Sequence, residues 1–128
     1  MTPFEVLARA STVLLTTFRR DGTSVPTPVW VVRRGDELWV WTNPMTGKYK
    51  RIRNNPKVTL APSTMRGTPL GSAVNASAGP LDAVEVPEVL GLIKAKYGLF
   101  GRFSIWQSGL AIKLRGWPPT GGLRITLD

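Results

Sequence analysis

The sequence predicts a mostly β domain, built as a closed or partly closed antiparallel barrel with short helices. Short runs rich in Val, Thr and Leu are separated by turns that contain Gly, Pro or Asp along most of the chain. The regular alternation of strand and helix that builds a parallel sheet is missing, as is the glycine fingerprint of dinucleotide-binding folds. With 128 residues and 42% apolar content, the chain suits one core. We therefore expect a single domain over residues 1–128.

The first part of the chain predicts a short helix followed by three strands. Thr2–Ala10 has Phe4, Leu7 and Ala8 at helical spacing. The strands are expected over Ser11–Arg19, Ser24–Arg33 and Glu37–Asn43, with tight turns at Asp21-Gly22 and Gly35-Asp36. Such short connections favour antiparallel neighbours, so these three strands are predicted to form a meander.

The rest of the chain predicts two helices and further strands. Thr46 is expected to cap a short helix over Gly47–Asn54, which Asn55-Pro56 stops. A longer helix is expected from about Val84 to Tyr97, because its apolar residues recur with the helical period. The remaining strands are expected over Lys57–Pro62, Ser72–Gly79, about Ser108–Arg115 and about Gly122–Leu127, with a loop at Met65–Gly71 and a turn at Pro118-Pro119-Thr120-Gly121.

Composition excludes several classes of protein. Without Cys there is no disulfide framework, thiolate nucleophile or iron–sulfur cluster, and without His the commonest metal ligand and general base are missing. We therefore expect no metal site.

A formal charge of +9 indicates an anionic partner. No apolar run reaches the ~18 to 20 residues of a membrane-spanning helix, and a secretory signal is not evident. A cytoplasmic location and no membrane partner are expected.

The positive charge is concentrated around the short middle helix. Between Glu37 and Asp82 the sequence has no acidic residue, but it has six basic ones: Lys48, Lys50, Arg51, Arg53, Lys57 and Arg66. This segment is the part of the chain with the largest surplus of cations.

Helical spacing divides these cations into two groups. Lys48 and Arg51 lie one turn apart at the helix start, whereas Lys50 and Arg53 lie on another side. The free amides of a first helical turn favour an anion, and Gly47 allows close approach to the backbone. The pattern therefore predicts a phosphate site. The alternative is a basic helix face that merely contacts water.

Apolar strand residues precede this helix. Pro28-Val29-Trp30 and Trp39-Val40-Trp41-Thr42 fall on neighbouring predicted strands. Flat apolar walls that end at a phosphate site would suit a cofactor with a ring system. The alternative is that these aromatic residues belong to the core or to a dimer interface.

Three runs of the sequence resemble a known family. They are residues 17–30, which include Asp21-Gly22, the strand Leu38–Thr42, and the basic segment 47–58. Together they resemble the pyridoxamine 5′-phosphate oxidase-like split-barrel family, whose members bind FMN or the deazaflavin F420. They are most similar to the small F420-dependent oxidoreductases of actinobacteria.

The resemblance implies a fold, an assembly and a cofactor site. The fold would be an antiparallel split β-barrel that forms a homodimer, with two cofactors in grooves between the subunits. Lys48 and Arg51, with Thr42 and Asn43 nearby, would bind the cofactor phosphate. The full set of implied cofactor-binding residues is Pro28, Val29, Trp30, Trp41, Thr42, Asn43, Gly47, Lys48, Lys50, Arg51, Ala61 and Pro62. Trp106 would approach a site from the partner chain.

The choice of cofactor depends on charge. True pyridoxamine phosphate oxidases use a C-terminal Arg and His pair, but Gly121–Asp128 has no His, so that activity is not expected. F420 carries a phosphodiester and an oligoglutamate tail, whereas FMN ends at one phosphate. Lys50, Arg53 and Lys57 have no obvious role beside FMN but could follow the F420 tail. F420 is therefore favoured, with FMN as the alternative cofactor.

The predicted activity is F420-dependent hydride transfer to or from a small conjugated organic substrate. No catalytic residue is assigned; a proton could come from solvent or from the Tyr97 phenol. Three alternatives remain open: an FMN-binding oxidoreductase of the same fold, a non-catalytic F420 carrier, and a basic barrel that binds nucleic acid.

Overall fold

The computed structural model describes residues 2–42, 47–115 and 121–128, with only the backbone described for residues 100–105 and 107–115. Its elements in chain order are α1 (Pro3–Arg9), β1 (Val13–Phe18), β2 (Ser24–Val29), β3 (Val32–Arg34), β4 (Glu37–Thr42), α2 (Gly47–Asn54), β5 (Lys57–Pro62), β6 (Val74–Pro80), the short 3₁₀ turn Ala83–Glu85, α3 (Val86–Arg115) and β7 (Gly121–Leu127).

The strands form one antiparallel sheet in the order β2-β1-β5-β6-β7-β4-β3. β2 and β3 lie at opposite edges of this order, yet only Trp30 and Val31 separate them along the chain. Because two residues span so short a distance, the two edges must come close together. The sheet is therefore curled into a partly closed barrel, which confirms the predicted fold class.

The barrel interior is filled by one side of each strand. Along β1, Val13, Leu15 and Thr17 are buried and the residues between them are half-buried, the alternation expected of a strand with one inward face. Leu7 of α1 packs into this core near the start of β1, and Ile52 of α2 packs into it near the end of β1. The two short helices thus cover opposite ends of the barrel.

A second, smaller core lies between the sheet and α3. Its buried members are Val32, Trp39, Leu81, Val89 and Ile93. Packed around them are the half-buried side chains Trp30, Trp41, Leu92 and Tyr97. Leu38 and Val40 of β4 belong to the interior core, whereas Trp39 and Trp41 belong to the core beneath α3. The side chains of β4 therefore alternate between the two faces of the sheet, as predicted.

The predicted strand Ser24–Arg33 is wrong, because the chain divides there into β2 and β3. Val31 leaves the sheet: its N–H donates to the Tyr97 hydroxyl at 3.2 Å, and its carbonyl accepts from Lys96 Nζ at 2.7 Å. These side chains of α3 replace the strand partners that a continuous ladder would supply. The two antiparallel pairings of the predicted meander are present, since β2 pairs with β1 and β3 pairs with β4, but the middle strand is not continuous and its two parts lie at opposite edges of the strand order.

The predicted strand Ser108–Arg115 is also wrong, because this segment is helical and belongs to α3. A short apolar run does not distinguish a buried strand from a helix, and this one continues a helix that already contains apolar residues. The helix is interrupted at Gly98, whose φ of +59° lies in the left-handed region. The helix predicted from about Val84 to Tyr97 begins at Val86 and extends to Arg115. The other predicted elements in the described ranges match to within two residues.

Within the described ranges, no helix is long and apolar enough to cross a membrane. Nor do these residues bring together three or more Asp, Glu, His or Cys side chains that could hold a metal ion.

Candidate anion-binding site

The candidate site begins with α2, which has the predicted bounds Gly47–Asn54. Ile52 is 2% exposed and fixes the inner face of the helix against the barrel core, with Tyr49 packed beside it. This anchoring leaves Lys48 and Arg51 half-buried, whereas Lys50 and Arg53 are exposed. Lys48 lies in the first turn, but Arg51 belongs to the last turn and not to the helix start as predicted; its side chain reaches back to Gly47. The structure therefore separates the two groups of cations that the spacing distinguished.

The Arg51 side chain is held in a defined position. Its Nε donates to Thr17 Oγ1 at 2.6 Å, and the Thr17 hydroxyl in turn lies 3.5 Å from the carbonyl of Val25 on β2. Thr17 is fully buried near the end of β1. A Cβ added at Gly47 would lie 2.6 Å from Arg51 Nη1. The guanidinium therefore lies directly against the first residue of α2, in space that only glycine leaves open.

The electrostatic environment of this position is strongly positive. Burial, and then the charge of Arg51, lower the pKa of Lys48. Burial, and then the charge of Arg19, lower the pKa of Arg51. In the part of the chain that the structure describes, none of these three cations forms an ion pair with a carboxylate. An anion bound here would relieve both the repulsion and the loss of hydration.

Some of the predicted ring-binding residues lie on the outer face of the sheet. Leu14 of β1 is paired with Pro28 on one side and with Ala61 on the other. Pro28 is exposed, and Ala61 is 4% exposed. Since Leu14 and Thr17 are three residues apart on one strand, this row lies roughly 10 Å along β1 from the arginine contact and on the opposite face.

Two further predicted residues flank this row. Val29 is buried in the barrel core, and Pro62 is half-buried and paired with Val13. Neither side chain approaches the cations of α2 through a described contact.

Trp30 and Trp41 belong to the core beneath α3. The Trp30 ring stacks on Tyr97, with centroids 4.3 Å apart and planes 9° apart. Among the described residues, the buried indole Nε1 of Trp41 has no hydrogen-bond partner. Thr42 is buried at the end of β4, while Asn43 and the predicted cap Thr46 lie outside the described residues. The described chain thus places the predicted site residues in separate locations: α2, the outer row, the barrel interior, the end of β4 and the core beneath α3.

The Tyr97 phenol is engaged with the backbone. Its hydroxyl donates to the carbonyl of Ser11 at 2.8 Å and accepts from the Val31 N–H. Burial raises its pKa. These contacts fasten α3 to the barrel. Trp106, the predicted partner-chain residue, is 63% exposed on the distal part of α3.

Sequence reasoning missed Thr17 and Arg19 as parts of the site. Thr17 stands at an inward position of β1, in a β-branched run whose inward positions are typical of core residues. Its contact with Arg51 spans 34 residues of sequence. Helical and strand periodicity carry no information about such a contact, so the only signal was the basic pair Arg19-Arg20 at the nearby turn.

The comparisons with known proteins agree with this fold. The model of the pyridoxamine 5′-phosphate oxidase family matches residues 4–100. The search of curated proteins found no match.

Three similar solved structures illustrate the range of proteins that share this fold. An F420 reductase has 16% identity and a TM-score of 0.60, over 100% of this chain and 95% of that one. A FAD-binding protein of Mesorhizobium loti has 15% identity and a TM-score of 0.63, over 97% and 84%. HutZ, the heme storage protein of Vibrio cholerae, has 14% identity and a TM-score of 0.67, over 97% and 86%. At these identities the likeness concerns the fold alone.

Proposed function

Because this chain belongs to the pyridoxamine 5′-phosphate oxidase family, we propose that it binds a flavin-type cofactor by a phosphate at Gly47, Lys48 and Arg51. One observation carries the proposal. Lys48 is half-buried in the first turn of α2, and the half-buried Arg51 of its last turn extends its guanidinium back to Gly47; their pKa values are lowered by burial and by neighbouring cations. A bound phosphate would provide the missing negative charge.

The residues present fit a phosphate group. Gly47 has no side chain to obstruct the first turn of α2, where backbone N–H groups lack helical partners. Arg51 uses Nε for Thr17, which leaves the hydrogens of Nη1 and Nη2 for two oxygens of one anion. Lys48 adds a point charge on the same side of the helix.

We propose F420 rather than FMN as the cofactor because of the exposed basic residues beyond this pair. Lys50, Arg53 and Lys57 are all exposed, and in the described residues none of them forms an ion pair. A polyanionic tail extending from the phosphate along α2 would meet these charges in turn. FMN has no such tail, so it would leave them unused.

The proposed activity is that of an oxidoreductase acting on a small conjugated organic molecule. Reduced F420 supplies a hydride when bound; the chain's own contribution is to hold the cofactor and to exclude water from it. The absence of Cys and His agrees with chemistry that needs no protein nucleophile. A homodimer is part of the proposal, with the exposed Pro28 available as an apolar wall of a groove that a second copy completes.

The test is a side-by-side fluorescence titration with F420 and FMN. Wild-type protein is compared with Lys50→Ala/Arg53→Ala, which removes two exposed cations and leaves Lys48 and Arg51 in place. We expect F420 to bind more tightly than FMN, and the double variant to weaken F420 about tenfold while leaving FMN unchanged. Equal losses for the two cofactors would contradict the role of the tail, and tighter binding of FMN would make FMN the cofactor.

The same protein preparation can be used to test the alternative function, a basic barrel that binds nucleic acid. That function needs exposed aromatic faces on the strands. In the structure Trp39 is 3% exposed and one face of Trp30 is covered by Tyr97. Salt-sensitive binding of a mixed-sequence oligonucleotide without affinity for F420 or FMN would overturn the cofactor proposal. Cofactor binding without turnover of any quinone or other conjugated acceptor would favour a carrier.

A further inference from the structure

Resting on the phosphate site proposed above, we infer that Thr17 is a positioning residue that presents Arg51 to the cofactor phosphate. Thr17 is fully buried on β1, and its hydroxyl accepts the Arg51 Nε–H at 2.6 Å. The hydroxyl in turn donates a hydrogen bond to the Val25 carbonyl oxygen at 3.5 Å. The threonine therefore has its donor and its acceptor engaged in one defined orientation.

An arginine in this environment needs such an anchor. Its long side chain has several rotatable bonds, and Arg19 repels it. Lys48 is close enough for its own pKa to be lowered by the charge of Arg51. Without a fixed acceptor, the guanidinium would move outward into water, away from both cations. The Thr17 hydroxyl offsets that repulsion at a point beside the start of α2.

The geometry of the anchor also determines what Arg51 offers to a ligand. With Nε engaged by the hydroxyl, the two terminal nitrogens remain as a pair of donors. One of them, Nη1, lies 2.6 Å from the place that a Cβ at Gly47 would occupy. Thr17 and Gly47 thus act on the same guanidinium, one by a hydrogen bond and the other by leaving space.

Two substitutions at Thr17 separate positioning from packing. Thr17→Val keeps the volume and removes the hydroxyl, whereas Thr17→Ser keeps the hydroxyl and removes a buried methyl group. If Thr17 only fills space, Thr17→Ser is the more harmful variant. If Thr17 positions Arg51, Thr17→Val weakens F420 binding about tenfold and Thr17→Ser binds like wild type, although Thr17→Ser is the less stable of the two to heat.

The orientation of Arg51 has a readout that needs no cofactor. In ¹⁵N-labelled protein, the Arg51 Nε–H resonance, identified by its disappearance in Arg51→Lys, should be protected from exchange with water in wild type and in Thr17→Ser. It should lose that protection in Thr17→Val. An Arg51 resonance that is equally protected in all three proteins overturns the inference, whatever the cofactor titration shows.

The two readouts distinguish the inference from the proposed function. A wild-type protein with a protected Arg51 resonance but no affinity for F420 or FMN refutes the phosphate site, and with it the assigned purpose of the contact. Cofactor binding that survives unchanged in Thr17→Val refutes the positioning role alone. Gly47→Ala provides an independent variant, because its Cβ must displace Nη1; we expect it to weaken F420 at least as much as Thr17→Val without altering the barrel core.

Discussion

Arginine residues occupy two contrasting regions of this molecule. Near α3, two arginines of the described residues meet carboxylates: Arg34 pairs with Glu88, and Arg124 pairs with Glu37 at 3.2 Å and with Glu85. All three ion pairs in the described residues lie in this region. They join β3 to α3, β7 to β4, and β7 to the 3₁₀ turn, so they are contacts of the fold.

Near α2, the neighbours of the arginine are a hydroxyl and other cations. Arg51 contacts Thr17, and the charges of Arg19 and Lys48 face it. Conversely, the side chains of Glu37 and Glu85 are only 28% and 19% exposed, because Arg124 covers them. The difference teaches that an arginine stabilises the fold where the chain supplies its counterion, whereas Arg51, which has no carboxylate partner among the described residues, is the one proposed above to meet a ligand.

The largest effect is expected from removing the unpaired cations. Lys48→Ala/Arg51→Ala should weaken F420 binding on the order of 100-fold, about 2.7 kcal/mol, because both charges facing the phosphate are lost. The melting temperature should stay the same or rise, since like charges no longer repel each other. Fluorescence titration and thermal unfolding measure the two quantities. Unchanged affinity would show that the cations of α2 do not hold the phosphate.

Removing the paired arginine should have the opposite outcome. Arg124→Ala leaves the carboxylates of Glu37 and Glu85 without their partner, so we expect the free energy of unfolding to fall by about 1 to 3 kcal/mol. F420 affinity should remain at the wild-type value, since the described contacts of Arg124 are with Glu37, Glu85 and Trp39 and none is with α2. Urea unfolding at neutral pH gives the first quantity. A stable variant with lost affinity would reverse the assignment of the two regions.

Acid should weaken the paired region by a smaller amount. Hydrogen bonding from the Asp82 backbone N–H, and then the Arg124 guanidinium, lower the pKa of Glu85 from 4.5. A carboxyl whose pKa is lower in the folded state stabilises the fold above its unfolded pKa and loses that contribution as pH falls through the folded value. Stability should therefore drop below about pH 4.5. Glu85→Gln should show a shallower drop over the same range in urea unfolding at stepped pH.

Alkali should affect the unpaired region without a loss of stability. The pKa of Lys48 is lowered from 10.5 by burial, so its charged form is disfavoured in the folded state. The fold consequently gains relative stability as pH rises toward 10.5. Cofactor affinity should nevertheless fall on the way, because the neutral amine no longer attracts phosphate. An affinity that falls with pH equally in wild type and in Lys48→Ala would exclude a contact between Lys48 and the phosphate.

The smallest effect is expected at the most exposed ion pair. Glu88→Gln removes the partner of Arg34, whose side chain is 50% exposed, and keeps the contact of Arg34 with the Trp39 ring. Since exposed pairs contribute little, the free energy of unfolding should change by less than about 0.5 kcal/mol. A loss comparable to that of Arg124→Ala would show that exposure does not distinguish the two pairs.

Local sequence patterns predicted most of the helices and strands of the fold. The bounds of α2 and β5 follow from the spacing of Gly47, Pro56 and Pro62, because glycine and proline restrict the backbone where they stand. The division of β2 from β3 could not be predicted in this way. It depends on Lys96 and Tyr97, whose contacts with Val31 span 65 and 66 residues.

The candidate site shows the same limit. That Lys48 and Arg51 lie together follows from helical spacing within α2. The periodicity of the sequence does not show which strand end these two side chains face. For this reason Thr17 was missed. Trp30 was expected along a cofactor ring, and the structure shows it stacked on Tyr97; the alternative of a core role was recognised for the tryptophans but could not be decided from one strand.

The central position of β7 has a consequence for the order in which the chain folds. β7 pairs with β6 on one side and with β4 on the other, so the six strands that precede it form two separate groups, β2-β1-β5-β6 and β4-β3. Residues 121–127 must therefore leave the ribosome before hydrogen bonding can join the two groups. Until then, β6 and β4 each expose an unpaired edge, which is the kind of surface that recruits strands of other chains. Insertion of β7 covers both of these edges in one step.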